Sequence, residues 1–179
     1  VEVERSLRVL DGAVALIDSS QGAEPQSETV WRQADKYKVP RLIFCNKMDK
    51  LGANFFDSVE SINQKLSHNT VVMQIPNGQA GEFAGIVDLV KMKHFTFTGQ
   101  MWTIVTEGEI PEELMAKAKE LREKMIDTVS SFDDDLAMAY LDGEEVSEAM
   151  NKKAVRAGVV ANKLYPIFEY ENSVPTLNN

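Results

Sequence analysis

The sequence predicts an α/β protein in which a parallel sheet, flanked by helices, is combined with an inserted α+β subdomain. Two continuous apolar stretches, residues 9–18 and 40–45, are typical of strands buried on both faces of a parallel sheet. An amphipathic helical pattern follows each of them, and this alternation favours right-handed crossovers between parallel strands. From residue 70 the pattern changes to short strands and then to helices, which indicates a separate subdomain.

The helices of the predicted core are placed by their apolar spacing. Pro25 suits a first helical turn, and Val30, Ala34 and Tyr37 recur at helical intervals, so we predict a helix over 25–37. A second amphipathic helix is predicted from apolar residues spaced three and four apart, namely Phe55, Val59, Ile62 and Leu66.

The predicted subdomain begins with short strands and ends with helices. We predict strands at 71–76, 86–90, 94–98 and 101–105. We predict helices from Pro111 onward, at 133–141 and at 145–158, and a strand at 165–168 that returns to the parallel sheet. The predicted division is therefore a core at 1–69, an inserted subdomain at 70–160, a returning core strand at 161–168, and a divergent, disordered tail at 169–179.

The charge of the chain is concentrated in one segment. Residues 107–150 contain 14 acidic and 4 basic residues, whereas the rest of the chain is close to balanced within a net charge of −9. A chain with this balance is poorly suited to gripping phosphates or nucleic acid directly. The segment is interpreted either as a solvated helical surface or as a docking face for a basic partner.

Cysteine content and hydropathy exclude several classes of protein. Cys45 is the only cysteine, which rules out an internal disulfide and a cysteine zinc site, and we predict that it is a small buried apolar group. No apolar run approaches the ~20 residues that cross a bilayer, so we expect no membrane partner.

The residues that carry chemistry are Asn46, Lys47 and Asp49, directly after the second predicted strand. Ligands of open α/β sheets bind outside the carboxyl ends of the strands. The Asp49 carboxylate could accept both the ring N–H and the exocyclic amine of guanine, whereas adenine would present a ring acceptor to it. Asn46 can donate and accept toward the other base edge, and the Lys47 methylene stem can cover the ring. The pattern predicts guanine binding; the alternative is a polar turn that leaves a strand.

Longer stretches of the chain carry a family resemblance. They are residues 1–8, 12–15, 26–34, 46–50 with 52–55, 85–89 and 140–145. Together they resemble elongation factor G, the translocation GTPase, and the similarity extends from Val1 to about Phe168. The resemblance implies a partial P-loop-GTPase-type parallel sheet, with residues 70–160 as the subdomain inserted into the GTPase domain and with Asn46, Lys47 and Asp49 as the guanine-binding residues.

The resemblance also implies cofactors, partners and a location. The expected ligand is GTP or GDP, with Mg²⁺ in the intact protein. The expected partners are the ribosome, including the stalk protein of the large subunit, and the expected location is the cytoplasm or an organellar matrix. The expected activity is GTP hydrolysis coupled to movement of transfer RNA and messenger RNA. Two alternatives remain: a sister GTPase for ribosome recycling or rescue, and a non-enzymatic ribosome-docking module.

Several parts of the family pattern are not in this sequence. There is no Gly-Lys pair, and so no G-x-x-x-x-G-K-[ST] loop for phosphates. The resemblance implies that this loop, the Mg²⁺-binding threonine loop and the Asp-x-Pro-Gly-His motif precede Val1, and we interpret the sequence as the interior of a longer chain. We therefore expect no catalytic residue, no metal ligand and no hydrolysis here. His68 and His94 do not match the catalytic histidine and are expected at the surface or at a sheet edge. The Ser-Ala turn of the family is replaced by Glu169-Tyr170.

Overall fold

A computed structural model of the chain describes residues 2–48, 50–78, 82–99 and 103–170. The described residues form a parallel sheet with flanking helices and a separate antiparallel sheet with three further helices, which confirms the predicted α/β class. Within these ranges no helix is both long enough and apolar enough to cross a membrane.

The strands and helices alternate first and then segregate along the chain. The first part contains α1 (Glu2–Leu7), β1 (Ala13–Asp18), α2 (Pro25–Lys36), β2 (Arg41–Asn46), α3 (Phe55–Lys65) and β3 (Thr70–Val72). The second part contains β4 (Gln74–Asn77), β5 (Gly85–Asp88), β6 (Lys93–Thr98), β7 (Ile104–Gly108), α4 (Glu112–Ser130), α5 (Asp134–Leu141) and α6 (Glu148–Val160), before β8 (Tyr165–Tyr170) returns to the first sheet.

The parallel sheet has the strand order β1-β2-β8-β3 and places the carboxyl ends of β1 and β2 side by side. The register pairs Asp18 with Asn46 at that edge, and it pairs Ile43 with Ile167 in the centre of the sheet. One face of the sheet is covered, because Ile43 and Ile167 share a buried cluster with Trp31 of α2. This covered face fixes the positions of the strand ends from which the site is built.

The opposite face of the parallel sheet is more open. Val14 and Leu16 of β1 are 56% and 61% exposed, and they are in register with Leu42 and Phe44 of β2. The Phe44 and Phe168 rings contact each other on this face, with centroids 5.5 Å apart. Parallel sheets usually bury both faces, so the exposed apolar surface of β1 is atypical of such a sheet.

The antiparallel sheet has the order β4-β5-β6-β7, and α4, α5 and α6 contact one another. The chain changes sheets at Met73, whose N–H donates to the Ile167 carbonyl while its own carbonyl accepts from Leu89. The predicted strand at 71–76 is therefore two strands, β3 and β4, in different sheets. Because β3 pairs with β8, the change of sheet occurs three residues later than the predicted start of the subdomain.

Other differences lie at the ends of elements. Residues 9–12 precede β1 and are not part of it, and the α1 helix was not predicted. Strand β8 extends to Tyr170, so the first two residues of the predicted tail continue the strand; residues 171–179 lie outside the described ranges. The division into a core and an inserted subdomain remains a prediction.

Candidate nucleotide-binding site

Two of the three predicted site residues lie at the carboxyl edge of the parallel sheet. Asn46 is the last residue of β2, and Lys47 begins the loop that follows it. Asp49, which was predicted to read the base, lies outside the residues that the structure describes. The structure therefore locates two of the three predicted side chains, and it brings both of them next to the end of β1.

Asn46 organises the first turn of the loop. Its side-chain Oδ1 accepts the Lys47 backbone N–H at 2.7 Å, and its backbone carbonyl accepts the Ser19 N–H at 2.9 Å. Among the described residues, the Asn46 amide nitrogen makes no hydrogen bond, so it remains a donor for a ligand.

Lys47 has a left-handed backbone, with φ of 65°. This conformation is uncommon for a residue with a side chain, and such outliers concentrate at functional sites. The Asn46 side chain stabilises the turn through the Lys47 N–H, as short polar side chains do in turns. The Lys47 backbone is therefore held in a costly geometry at the point where the sequence predicts a ligand.

Asp18, the last residue of β1, links the two loops of this edge. Its Oδ2 accepts the Lys47 Nζ at 2.9 Å and the Lys50 Nζ at 3.0 Å. Its Oδ1 accepts the Ser20 hydroxyl at 2.6 Å and the Ser20 backbone N–H at 3.0 Å. One carboxyl oxygen thus shapes the loop after β1, and the other holds two ammonium groups from the loop after β2.

These contacts change the acid–base properties of both partners. Partial burial acts to raise the pKa of Asp18, but hydrogen bonds from Ser20, Lys47 and Lys50 hold this pKa well below its usual range. The hydrogen bond to Asp18 raises the pKa of Lys47. Because the Asp18 pKa is lower in the folded state, its contacts stabilise the protein above the ordinary value of 3.8, and this stability is lost as the pH falls below it.

The loop that carries the site is anchored at both ends. Met48 is fully buried and lies in the main core cluster, whereas Leu51 is 96% exposed. Asn54 caps α3 by accepting the backbone N–H groups of Phe56 and Asp57. The Asn54 N–H donates to the Ser19 carbonyl at 3.1 Å, so the end of this loop is also tied to the end of β1.

The remaining candidate residues do not contribute to this edge. Cys45 is fully buried, as predicted, and burial, with a further effect of the Glu169 charge, raises its pKa to about 12. His68 is exposed as expected, but the prediction for His94 is wrong: it is buried in β6, between β5 and β7, with its Nε2 3.1 Å from the Asn77 Nδ2. The described ranges contain no group of three or more His, Cys, Asp or Glu side chains that could hold a metal ion.

Asp18 and Lys50 were not predicted as members of the site. The signal for Asp18 is a carboxylate at the end of an apolar strand that precedes the strand of the motif, because adjacent parallel strands end at one edge. No comparable signal exists for Lys50, since its role depends on how the loop turns back toward β1.

The fold and this edge define an α/β nucleotide-binding domain, in which polar loops follow the carboxyl ends of neighbouring parallel strands. Residues 1–157 match the family described as "Elongation factor Tu GTP binding domain". The chain belongs to this family, whose members are GTP-binding domains of the translational GTPase type.

A solved structure shares the fold. A crystal structure of a protein from Thermus thermophilus matches with a TM-score of 0.82 and 24% sequence identity. The match covers 95% of this chain and 25% of the Thermus chain, so this chain corresponds to about a quarter of that protein. At this identity the similarity supports the fold and nothing finer.

Proposed function

We propose that this chain recognises the guanine base of GTP and GDP through Asn46, Lys47 and Asp49. The Asp49 carboxylate would accept the two adjacent donors of guanine, and the Asn46 amide nitrogen would donate toward the other edge of the base. The Lys47 methylenes would lie over the ring. Each role uses a group of the right chemistry, and the Asn46 and Lys47 groups lie at one edge of the sheet.

One observation carries this proposal. In a chain of a GTP-binding family, Asn46 ends β2 and Lys47 follows it at the carboxyl edge, beside the end of β1. The Asn46 donor that no described residue uses and the left-handed Lys47 backbone support a ligand at this position.

We further propose that the intact protein is a translation elongation factor that promotes movement of transfer RNA and messenger RNA through the ribosome. The resemblance of six stretches to elongation factor G supports this function. A sister factor for ribosome recycling or rescue would share the same motifs, and domains outside this chain would distinguish the two. The catalytic groups and the Mg²⁺ site of the intact protein would lie outside these residues.

The ribosomal stalk is the proposed docking partner of the acidic segment. Five acidic residues of α4 are exposed: Glu112, Glu113, Glu120, Glu123 and Asp127. Because each residue of an α-helix is rotated by about 100° from the one before it, these five side chains fall within one sector of roughly 100° around the helix axis. The buried Met125 and Val129 lie on the other side of the helix. This arrangement would offer one acidic face, which we call the α4 acidic face, to a basic partner.

Titration of the labelled 179-residue chain with GDP and with ADP, followed by nuclear magnetic resonance, tests the base-recognition proposal. Phosphate contacts supply much of the affinity of such sites, so we expect GDP to bind weakly, with a dissociation constant of about a millimolar or above, and without measurable GTP hydrolysis. We expect ADP to bind more weakly than GDP. A micromolar GDP dissociation constant, GTP turnover, or equal binding of the two nucleotides would contradict this account.

A non-enzymatic docking module is the second candidate function, and the α4 acidic face is the observation that favours it. Such a module would use that face alone and would leave the edge of the parallel sheet unused. The same titration distinguishes the two candidates, because a docking module gives no saturable GDP signal at Asn46 or Lys47.

A further inference from the structure

We infer that Asp18 is a positioning residue for guanine recognition, which acts by holding the Lys47 side chain in place before the ligand arrives. The inference rests on the proposed function of Asn46, Lys47 and Asp49. Asp18 was not part of the sequence motif and lies on a different strand, 29 residues away along the chain. Only the pairing of β1 with β2 brings it to the site.

The geometry separates the two oxygens of the Asp18 carboxylate. Oδ1 is occupied by Ser20, through both its hydroxyl and its backbone N–H. Oδ2 faces the motif loop and accepts the ammonium groups of Lys47 and Lys50. The side chain of Asp18 is 18% exposed, whereas those of Lys47 and Lys50 are each 47% exposed. A mostly buried carboxylate therefore holds the ammonium groups of two half-exposed lysine side chains.

The backbone around Asp18 is fixed independently of the lysines. Its carbonyl accepts the N–H groups of Gln21 and Gly22, at 3.0 and 2.8 Å. Gly22 has a left-handed φ of 69°, and a Cβ there would lie 2.8 Å from the Ser61 hydroxyl, so the loop is closely packed against α3. The Ala23 N–H donates to that hydroxyl at 3.0 Å. The carboxylate thus belongs to a closely packed, hydrogen-bonded loop and can orient the Lys47 side chain.

Holding the Lys47 ammonium would lower the entropic cost of placing its methylenes over a base. Lysine loses much rotamer freedom on binding, and immobilising one such side chain costs affinity of roughly 2- to 12-fold. The Asp18 contact places this cost on folding instead of on binding. Lys50 shares Oδ2, so the group of Asp18, Lys47 and Lys50 carries one net positive charge when Asp18 is ionised.

The substitution Asp18→Asn tests this role because it discriminates between the two oxygens. The amide oxygen can still accept from Ser20, while the amide NH₂ in place of Oδ2 would face the lysines as a donor. We expect the GDP dissociation constant of the 179-residue chain to rise roughly 2- to 12-fold. The matched control is Asp11→Asn, which makes the same chemical change at an exposed position before the opposite end of β1.

A double-mutant cycle with Lys47→Met separates positioning from general structural damage. If Asp18 acts through Lys47, Asp18→Asn should weaken GDP binding in the wild-type background and have no further effect in the Lys47→Met background. An equal loss in both backgrounds would overturn the inference, since Asp18 would then act through the fold. Unchanged or tighter GDP binding by the single variant would also overturn it, because Lys47 would then gain nothing from Asp18 or would have to leave it to bind.

The outcomes for this inference and for the proposed function are distinct. Guanine-selective binding by the wild-type chain, unaffected by Asp18→Asn, would reject the positioning role and leave the proposed function standing. Absence of any saturable GDP signal in the wild-type chain would reject both. Selective binding together with a loss that depends on Lys47 would support both.

Discussion

At the scale of single residues, burial makes His94 a source of pH-dependent stability. Burial lowers its pKa below the ordinary value of 6.5, because the charged imidazolium is disfavoured in the sheet. The folded state therefore binds fewer protons than the unfolded state when the pH falls below 6.5. The stability contributed by neutral His94 is present above that pH and is lost as the pH falls through the folded-state pKa.

We predict that His94→Gln removes a part of the acid-side decrease in the free energy of unfolding. Urea unfolding of the 179-residue chain would measure the free energy of unfolding at several pH values. The series would run from about pH 5 to 8, the range in which histidines titrate. His68→Gln is the matched control, because His68 is the only other histidine of the chain and is exposed. An identical pH profile for the wild-type chain and for His94→Gln would contradict the prediction.

Arg41 is a buried cation that connects β2, α2 and β8. It donates to the Trp31 carbonyl at 2.9 Å and to the Tyr165 hydroxyl at 3.2 Å, and it forms an ion pair with Asp35. Its guanidinium carbon lies 4.1 Å from the centroid of the Trp31 ring. A planar group with several donors is required to make these contacts together.

We predict that Arg41→Lys lowers the free energy of unfolding by about 1–3 kcal/mol, the cost of leaving buried polar groups without partners. Chemical denaturation at neutral pH would measure the change. The surface substitution Arg32→Lys is a suitable control, because the Arg32 side chain is 78% exposed and pairs only within its own helix in the described contacts. A change of less than about 0.5 kcal/mol, as typical of surface sites, would show that the cluster is not important for stability.

At the scale of elements, two of the helices were predicted closely. The predicted helix at 25–37 is α2, and the predicted helix at 133–141 is α5, each within one residue. Both sequences contain strong local signals: Pro25 at the first turn of α2, and the Asp133 side chain that caps α5 by accepting the Leu136 N–H. Helices are predicted accurately where the residues that fix their first turn lie next to the helix in the sequence.

Features that depend on distant pairing could not be predicted. The apolar run at 71–76 gives no indication of its division at Met73, because the division arises from pairing with β8 on one side and β5 on the other. His94 resembles a polar edge residue in sequence, yet β5 and β7 flank its strand. The participation of Asp18 in the site follows from strand order for the same reason.

The α4 acidic face leads to a prediction for this element. Glu120 accepts from Lys117 and Lys124, at 3.1 and 2.6 Å, so its charge is partly compensated. Glu123 and Asp127 are therefore the better positions for reversal. A face of one charge accelerates encounter with an oppositely charged partner, and salt screens this effect.

We predict that Glu123→Lys with Asp127→Lys slows association of the intact protein with ribosomes at low salt, by about tenfold or less, and has little effect at high salt. Stopped-flow association rates at two ionic strengths would measure this. Glu60→Lys on α3 serves as the control, since it reverses an exposed charge outside the acidic segment. Unchanged association rates at low salt would contradict the docking role and would indicate that these charges only solvate the helix.

At the scale of the whole molecule, the candidate site lies at the end of a strand that is itself at the edge of the parallel sheet. Strand β1 forms one edge of the described parallel sheet, and its Val14 and Leu16 are largely exposed. The same strand ends at Asp18, beside Asn46 and Lys47. The covered face and the buried Met48 hold this edge in place, which gives the proposed base-binding side chains a fixed support.

The central claim is that the loop after β2 reads guanine, and Asp49→Asn tests it most directly. The substitution replaces one acceptor oxygen by a donor, which opposes a guanine donor and suits the additional carbonyl of xanthine. GDP and xanthosine diphosphate would be titrated against the wild-type chain and the variant. We expect the wild-type chain to prefer GDP and the variant to prefer xanthosine diphosphate, with each preference worth about 1.5–3 kcal/mol, as for hydrogen bonds to charged groups. The same preference for GDP in both proteins would contradict the claim.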